Sequence, residues 1–337
     1  MKEAYLYKKL SKNKVQCQNC AHYCRIPENQ LGVCRVRKNI AGKLFALNYG
    51  KLIACNIDPV EKKPLFHFLP GTFSLSLAAV GCNFKCLNCQ NYEISQVLGE
   101  KEITGEKIEP EKIVDLAIKN NLPSISYTYT EPVIFSEYAL DTMKIAKKKG
   151  IKNVWVSNGF LSKESFNLIS PYLDAVNIDL KGFSEEFYMK NCGGKLKPVL
   201  ETLKRVKNKK IWLEITTLVI PGLSDRKEMF EKIANFIKKE LGQETPWHIS
   251  QFYSQISWKL KNLPSTPVET LKLAHETGKK AGLKYVYLGN VRELDYENTF
   301  CPKCGSLMIK REGYSLERFD KNGKCAKCKE SLNLILK

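Results

Sequence analysis

A chain of 337 residues, 43% hydrophobic, is long enough for a large buried core with smaller attachments, and no apolar run nears the ~18 residues of a membrane span. The 54 Lys and Arg against 35 Asp and Glu leave a charge of +19, which favours polyanionic partners such as nucleic acid or an acidic protein, although a solvated lysine-rich surface accounts for it equally. The 13 cysteines are an odd number and follow an N-terminus, MKEAYLYKKLSKNK, without an apolar signal core; this argues against a disulfide framework and predicts reduced, metal-binding thiols in a cytoplasmic protein.

Residues 1–70 form the first predicted unit, a Cys-rich metal-binding region holding Cys17, Cys20, Cys24 and Cys34 and ending in the loop DPVEKKPLFHFLPG with His67. Zinc suits these four thiols best, with iron or an auxiliary iron–sulfur cluster as the alternative; His22 lies inside the loop as a non-ligand. From residue 71 to 293 short apolar runs alternate with helical periods. The predicted strands are SLSLAAV, SISYTYT, NVWVS, AVNIDL, IWLEITTLV, WHISQF and KYVYLG. One helix carries Ala139, Met143 and Ala146 on one face, and others begin near Pro110, Ser162, Pro198, Asp225 and Pro267. This rhythm predicts an α/β fold. Polar motifs at the ends of at least four strands favour a TIM-like barrel over a doubly wound sheet. Residues 294–337 hold Cys301, Cys304, Cys325 and Cys328 as two C-x2-C knuckles, the spacing of a structural zinc ribbon.

Directly after the first predicted strand, SLSLAAV, comes GCNFKCLNCQN, with Cys82, Cys86 and Cys89 spaced C-x3-C-x2-C. Three thiolates on a cuboidal four-iron cluster leave one iron open for a substrate or cofactor, whereas a structural zinc site takes four ligands. A zinc knuckle or a trio of buried thiols is the plainer alternative. Later strands end in YTYTEP, VSNGF, NIDLKGF and EITTLVIPG, and PWHISQF supplies His248.

With DPVEKKPLFHFLPG and the flanking modules, these motifs resemble the radical S-adenosylmethionine (SAM) enzyme of the AmmeMemoRadiSam system, a relative of pyruvate formate-lyase activating enzymes. Asn88, before the third cysteine, departs from the aromatic residue common in the wider superfamily. The resemblance implies a partial (β/α)6 TIM-like barrel, a [4Fe-4S] cluster on the three cysteines, SAM on its open iron, and reductive cleavage to methionine and a 5'-deoxyadenosyl radical. It implies that Glu131, helped by Thr128 and Thr130, meets the methionyl ammonium, in a place where the related activases carry a Gly-Gly-Glu motif. Asn158 would meet ribose or carboxylate, Asp179 a ribose hydroxyl, Lys181 the methionyl carboxylate, and His248 would stand near SAM.

The plainer expectations are a local ion pair for Asp179 and Lys181, a core residue for His248, burial for Cys55 and Cys192, and turn capping for Gln90 and Asn91. The leading expectation is hydrogen abstraction from a macromolecule, RNA being favoured by charge and ribbon. Activation of a glycyl radical enzyme and a non-catalytic multi-metal nucleic-acid-binding protein are the alternatives. Expected partners are an electron donor such as ferredoxin or flavodoxin and, by resemblance, Memo-like proteins and their companions.

Overall fold

The apolar runs assemble into one sheet in a computed structural model that describes residues 1–291 and 295–337; the boundary expected at 293/294 lies outside the described residues. Its strands are β1 (Ala54–Pro59), β2 (Phe73–Ala78), β3 (Ser124–Tyr127), β4 (Lys152–Ser157), β5 (Ala175–Asp179), β6 (Trp212–Val219), β7 (Trp247–Gln251) and β8 (Val286–Gly289). They lie side by side in chain order, β1 at one edge and β8 at the other, with β2 to β8 parallel and β1 antiparallel to β2. A doubly wound sheet reverses its strand order midway, so the consecutive order excludes that architecture. The crossovers from β2 to β8 carry α1 (Pro110–Lys119), α2 (Ser136–Lys148), α3 (Lys163–Ile169), α4 (Leu196–Asn208), α5 (Lys227–Phe236) and α6 (Val268–Ala281), which makes six β-α units closed by a seventh parallel strand.

Alternation along the strands gives the sheet two unlike faces. Leu75, Ile125, Trp155, Val176, Ile215 and Trp247 share one buried cluster with Ile113, Met143, Leu203, Ile233 and Leu271 of the helices. The opposite face carries buried Ser74, Ser76, Ser126, Asn177, Glu214, Thr216 and His248. Register aligns these polar groups: Ser126 lies beside Ser76, Asn177 beside Glu214 and Thr216 beside His248.

The segment between β1 and β2 lies across this polar face, where Val60, Leu65, Phe68 and Leu69 cluster with Val154 and Ala175. Its backbone would be left unsatisfied there without partners. Glu214 accepts from Phe66 N at 2.9 Å and His67 N at 2.8 Å, and Asn177 Nδ2 donates to Pro64 O at 2.7 Å.

The N-terminal residues form two small antiparallel sheets, which meet α2 through a buried bidentate pair, Arg37 to Glu137, at 2.6 and 2.9 Å. The C-terminal residues form a three-stranded antiparallel sheet, Thr299–Phe300, Leu307–Glu312 and Ser315–Arg318. The tail then returns to the strap between β1 and β2, with Ile335 N donating to His67 O at 2.8 Å and Leu69 N to Ile335 O at 2.7 Å. Among the described residues, no helix is long and apolar enough to cross a membrane.

Candidate metal and cofactor site

The three-cysteine array occupies the loop after β2 and is pinned from three sides. Gly81 has φ +106°, and a Cβ there would stand 2.7 Å from Val36 Cγ1, so only glycine lets the N-terminal module approach. Lys85 N and Leu87 N donate to Cys192 O and Asn191 O after β5, while Trp258 N and Lys259 N donate to Cys89 O and Leu87 O from the loop after β7. The array's backbone is thus held by elements distant in sequence.

Burial pushes the Cys82 thiol well above its ordinary range, and a hydrogen bond with Cys192 together with burial does the same for Cys86. Thiolates in such a wall need a compensating cation, which a metal centre supplies. Cys192 is fully buried, as expected of a small apolar residue, and touches Cys86, whereas Cys55 on β1 is only half-buried, against the same expectation, because β1 is an edge strand.

Asn158 follows β4 and reaches this loop directly. Its Nδ2 lies 2.7 Å from Asn83 Oδ1 and 3.9 Å from Cys82 Sγ, and its Oδ1 accepts from Phe160 N at 2.9 Å. Glu131, after β3, accepts from Asn158 N at 2.8 Å, Ser157 Oγ at 2.9 Å and Val133 N at 3.2 Å. Burial raises its carboxyl to about 7 despite these donors. Thr130 Oγ1 donates to Ala79 O at 2.7 Å and Thr128 N to Leu77 O at 2.9 Å, so the YTYTEP turn is tied to β2 and the loop after it. Asn91 Nδ2 donates to Tyr129 O at 2.8 Å from the far end of the array.

Asp179 ends β5 and pairs with Lys181 Nζ at 2.8 Å. Burial lowers the Lys181 ammonium, but Asp179 and the Cys86 and Cys192 thiols outweigh this and hold it well above its usual range. The loop cysteines, Glu131, Asn158, Asp179 and Lys181 therefore meet at the C-terminal end of the parallel strands.

His248 pairs with Glu214 on the polar face of the sheet. Its Nε2 lies 2.7 Å from Glu214 Oε2, beneath Phe66 of the strap at 4.7 Å between ring centres. Burial raises Glu214, but His248 and the other donors prevail and bring it to about 2. His67 is also interior, its Nε2 2.6 Å from Tyr287 Oη and its Nδ1 3.0 Å from Leu332 O. Sequence reasoning missed Asn83, Ser157 and Tyr129, the last hydrogen-bonded to Asp58 of β1. Their signal was adjacency to the motifs and nothing more.

Cys301, Cys304, Cys325 and Cys328 draw their sulfurs within 4.8 Å of one another, with Cys301 to Cys328 at 3.5 Å and Cys304 to Cys325 at 3.6 Å. Paired turns present them: Gly305 N donates to Cys301 O and Lys329 N to Cys325 O. This geometry can hold one metal ion. Cys17, Cys20, Cys24 and Cys34 line a single cavity against Val133 and Ile134, just beyond Glu131.

The radical SAM superfamily pattern matches residues 77–237, a span from β2 to the end of α5 that takes in the array, Glu131, Asn158, Asp179 and Lys181 and stops before His248. The chain is 45% identical over 339 residues to the uncharacterized protein MJ0808 of Methanocaldococcus jannaschii, covering all of both chains. It is 26% identical over 161 residues to the pyruvate formate-lyase 1-activating enzyme of Escherichia coli, a match covering 47% of this chain and 65% of that enzyme. The fold is similar to that of Streptococcus suis SuiB bound to precursor peptide SuiA, at a TM-score of 0.51 and 13% identity over 69% of this chain and 52% of that one.

Proposed function

Because this chain belongs to the radical SAM superfamily, we propose that it binds SAM on a [4Fe-4S] cluster and abstracts hydrogen from a macromolecular substrate. Cys82, Cys86 and Cys89 would hold the cluster, which when bound would supply the electron for reductive cleavage of SAM. The chain's own work is to bind, orient and shield. Glu131 offers a desolvated carboxylate to the methionyl ammonium, Lys181 a cation to the methionyl carboxylate, and Asp179 and Asn158 acceptors and a donor to ribose. Thr130 and Asn83 hold the two loops that carry these groups.

The observation that carries this reading is the continuous contact from Cys82 through Asn158 to Glu131, three groups on separate strand ends. The consecutive sheet supports a partial (β/α)6 barrel, and the tight C-terminal quartet supports a structural zinc ion. Similarity to the E. coli activating enzyme favours a second reading, activation of a glycyl radical enzyme, in which the substrate is protein. The AmmeMemoRadiSam assignment, with Memo-like partners, an RNA substrate and a ferredoxin or flavodoxin donor, rests on sequence resemblance and charge.

Anaerobically reconstituted protein is expected to release 5'-deoxyadenosine from SAM with a strong reductant, and the Cys82→Ala/Cys86→Ala/Cys89→Ala variant none. Absence of that product from iron-loaded wild type removes the proposal. A glycine-centred radical signal on a partner protein selects the activase reading.

A further inference from the structure

The two four-cysteine groups differ in how tightly they gather. A zinc ion about 2.3 Å from each of four sulfurs holds them about 3.8 Å apart, and the C-terminal quartet is drawn to that spacing. Among the described residues, it alone brings its ligand atoms within 4.8 Å of one another. Cys17, Cys20, Cys24 and Cys34 instead line one cavity without gathering so closely: no three of their sulfurs lie within 4.8 Å of one another, wider than the spacing of about 3.8 Å that one zinc ion imposes. A cuboidal cluster, with its irons and sulfides between centre and thiolates, requires that wider spread.

A second, independent feature is Arg37. It is 2% exposed and borders the same cavity. Its two terminal nitrogens bind Glu137, yet its buried Nε–H has no acceptor among the described residues. Iron–sulfur clusters take hydrogen bonds on their sulfurs, and such a donor beside a dianionic cluster supplies one. The cavity also adjoins the first cluster's loop: the ideal Cβ of Gly81 stands 3.2 Å from Cys34 O, and His22 Nε2 lies 2.7 Å from Asn83 O.

We infer that Cys17, Cys20, Cys24 and Cys34 ligate a second [4Fe-4S] cluster, closed by four thiolates, that relays single electrons to the cluster on Cys82, Cys86 and Cys89. The second cluster gains one electron from a ferredoxin- or flavodoxin-class carrier and is reoxidised as the first is reduced; no bond forms or breaks. The relay rests on the proposed function, whereas the second cluster stands without it. Of the two metals that the spacing leaves open there, this selects the iron–sulfur cluster over zinc.

Metal analysis of anaerobically purified Cys82→Ala/Cys86→Ala/Cys89→Ala protein tests the site without any SAM chemistry. The expected result is about four iron and four sulfide with one zinc per chain, and a paramagnetic signal on reduction. Two zinc per chain without iron overturns the inference. The complementary Cys20→Ser/Cys24→Ser variant tests the relay. With its first cluster intact by iron content, it is expected to be reduced several-fold more slowly than wild type by reduced flavodoxin, and equally fast by dithionite. Equal rates with flavodoxin overturn the relay. Failure of SAM cleavage with both clusters present counts against the proposed function and leaves the second cluster standing.

Discussion

Glu131 is buried, receives three hydrogen bonds and has no cationic side chain bonded to it among the described residues. Burial outweighs the donors and lifts its carboxyl from 4.5 to about 7. A carboxyl raised on folding contributes stability in full below about 4.5, and that contribution is lost as pH rises through about 7. An ammonium from a ligand reverses the balance, because it needs the ionised form. SAM affinity is therefore expected to rise with pH through about 7, and Glu131→Gln to flatten that rise and weaken binding about 10- to 100-fold at high pH. Calorimetric titration of the cluster-loaded protein reads both, and a wild-type affinity independent of pH sinks the assignment. Glu131 was singled out in the sequence because the YTYTEP turn at a strand end stands where related activases carry an acidic motif. Asn83 and Ser157 were not, since their roles are hydrogen bonds to partners 75 and 26 residues away.

At the scale of elements, the N-terminal module is fastened to the core by many hydrogen bonds, Lys2 and Tyr5 to Asp141, Asn19 to Ser136 and Tyr23 to Glu164 among them, and by one deeply buried ion pair. Arg37 and Glu137 are 2% and 1% exposed and join it to α2, five residues beyond Pro132. Removing one partner of such a pair strands a buried charge, so Glu137→Ala is expected to cost about 3–5 kcal/mol in urea unfolding. Replacing both, as Arg37→Met/Glu137→Leu, is expected to cost distinctly less; equal losses would show that packing volume, not charge, decides. Gly81→Ala makes the same junction fail sterically, since its Cβ meets Val36 at 2.7 Å on a φ of +106°. Iron retention after anaerobic purification should fall in that variant and be unchanged in Gly99→Ala, where the backbone is extended and a Cβ meets nothing within 4 Å. The seven parallel strands were legible because β-branched and aromatic runs between turn residues have few other uses. β1, ACNIDP, was not: Asn56, Asp58 and Pro59 read as a turn, and the strand exists because its antiparallel register with β2 covers that edge.

For the whole molecule, the strap between β1 and β2 and the C-terminal module converge on one interior network. The strap contributes Phe66 and His67, the sheet Glu214, His248 and Tyr287, and the C-terminal module Arg311, whose guanidinium lies 4.2 Å above the Phe66 ring and donates to Phe66 O at 2.8 Å. The cysteine spacing announced a ribbon but not this insertion, because no local pattern links residues 66 and 311. Burial lowers His67 from 6.5 to about 4, so the stability its neutral ring contributes is complete above about 6.5 and lost as pH falls through about 4. In the neutral ring Nδ1–H donates to Leu332 O and Nε2 accepts from Tyr287 Oη, so protonation removes that acceptor and loosens strap and tail together. Stripping the metal from the C-terminal quartet should act on the same network from its other end. A ribbon that only decorated the core would melt alone and leave the sheet's transition where it was. Here the tail supplies hydrogen bonds that the buried strap cannot replace with water, so loss of the ion exposes unsatisfied backbone within the sheet's polar face. Chelator treatment, or Cys325→Ser/Cys328→Ser, is expected to lower the midpoint of one chain-wide thermal transition, and to raise amide exchange at residues 64–69 as well as in the ribbon. Two separate transitions, with exchange at 64–69 unchanged, would show that the C-terminal module is an appendage and that the strap is held by the sheet alone.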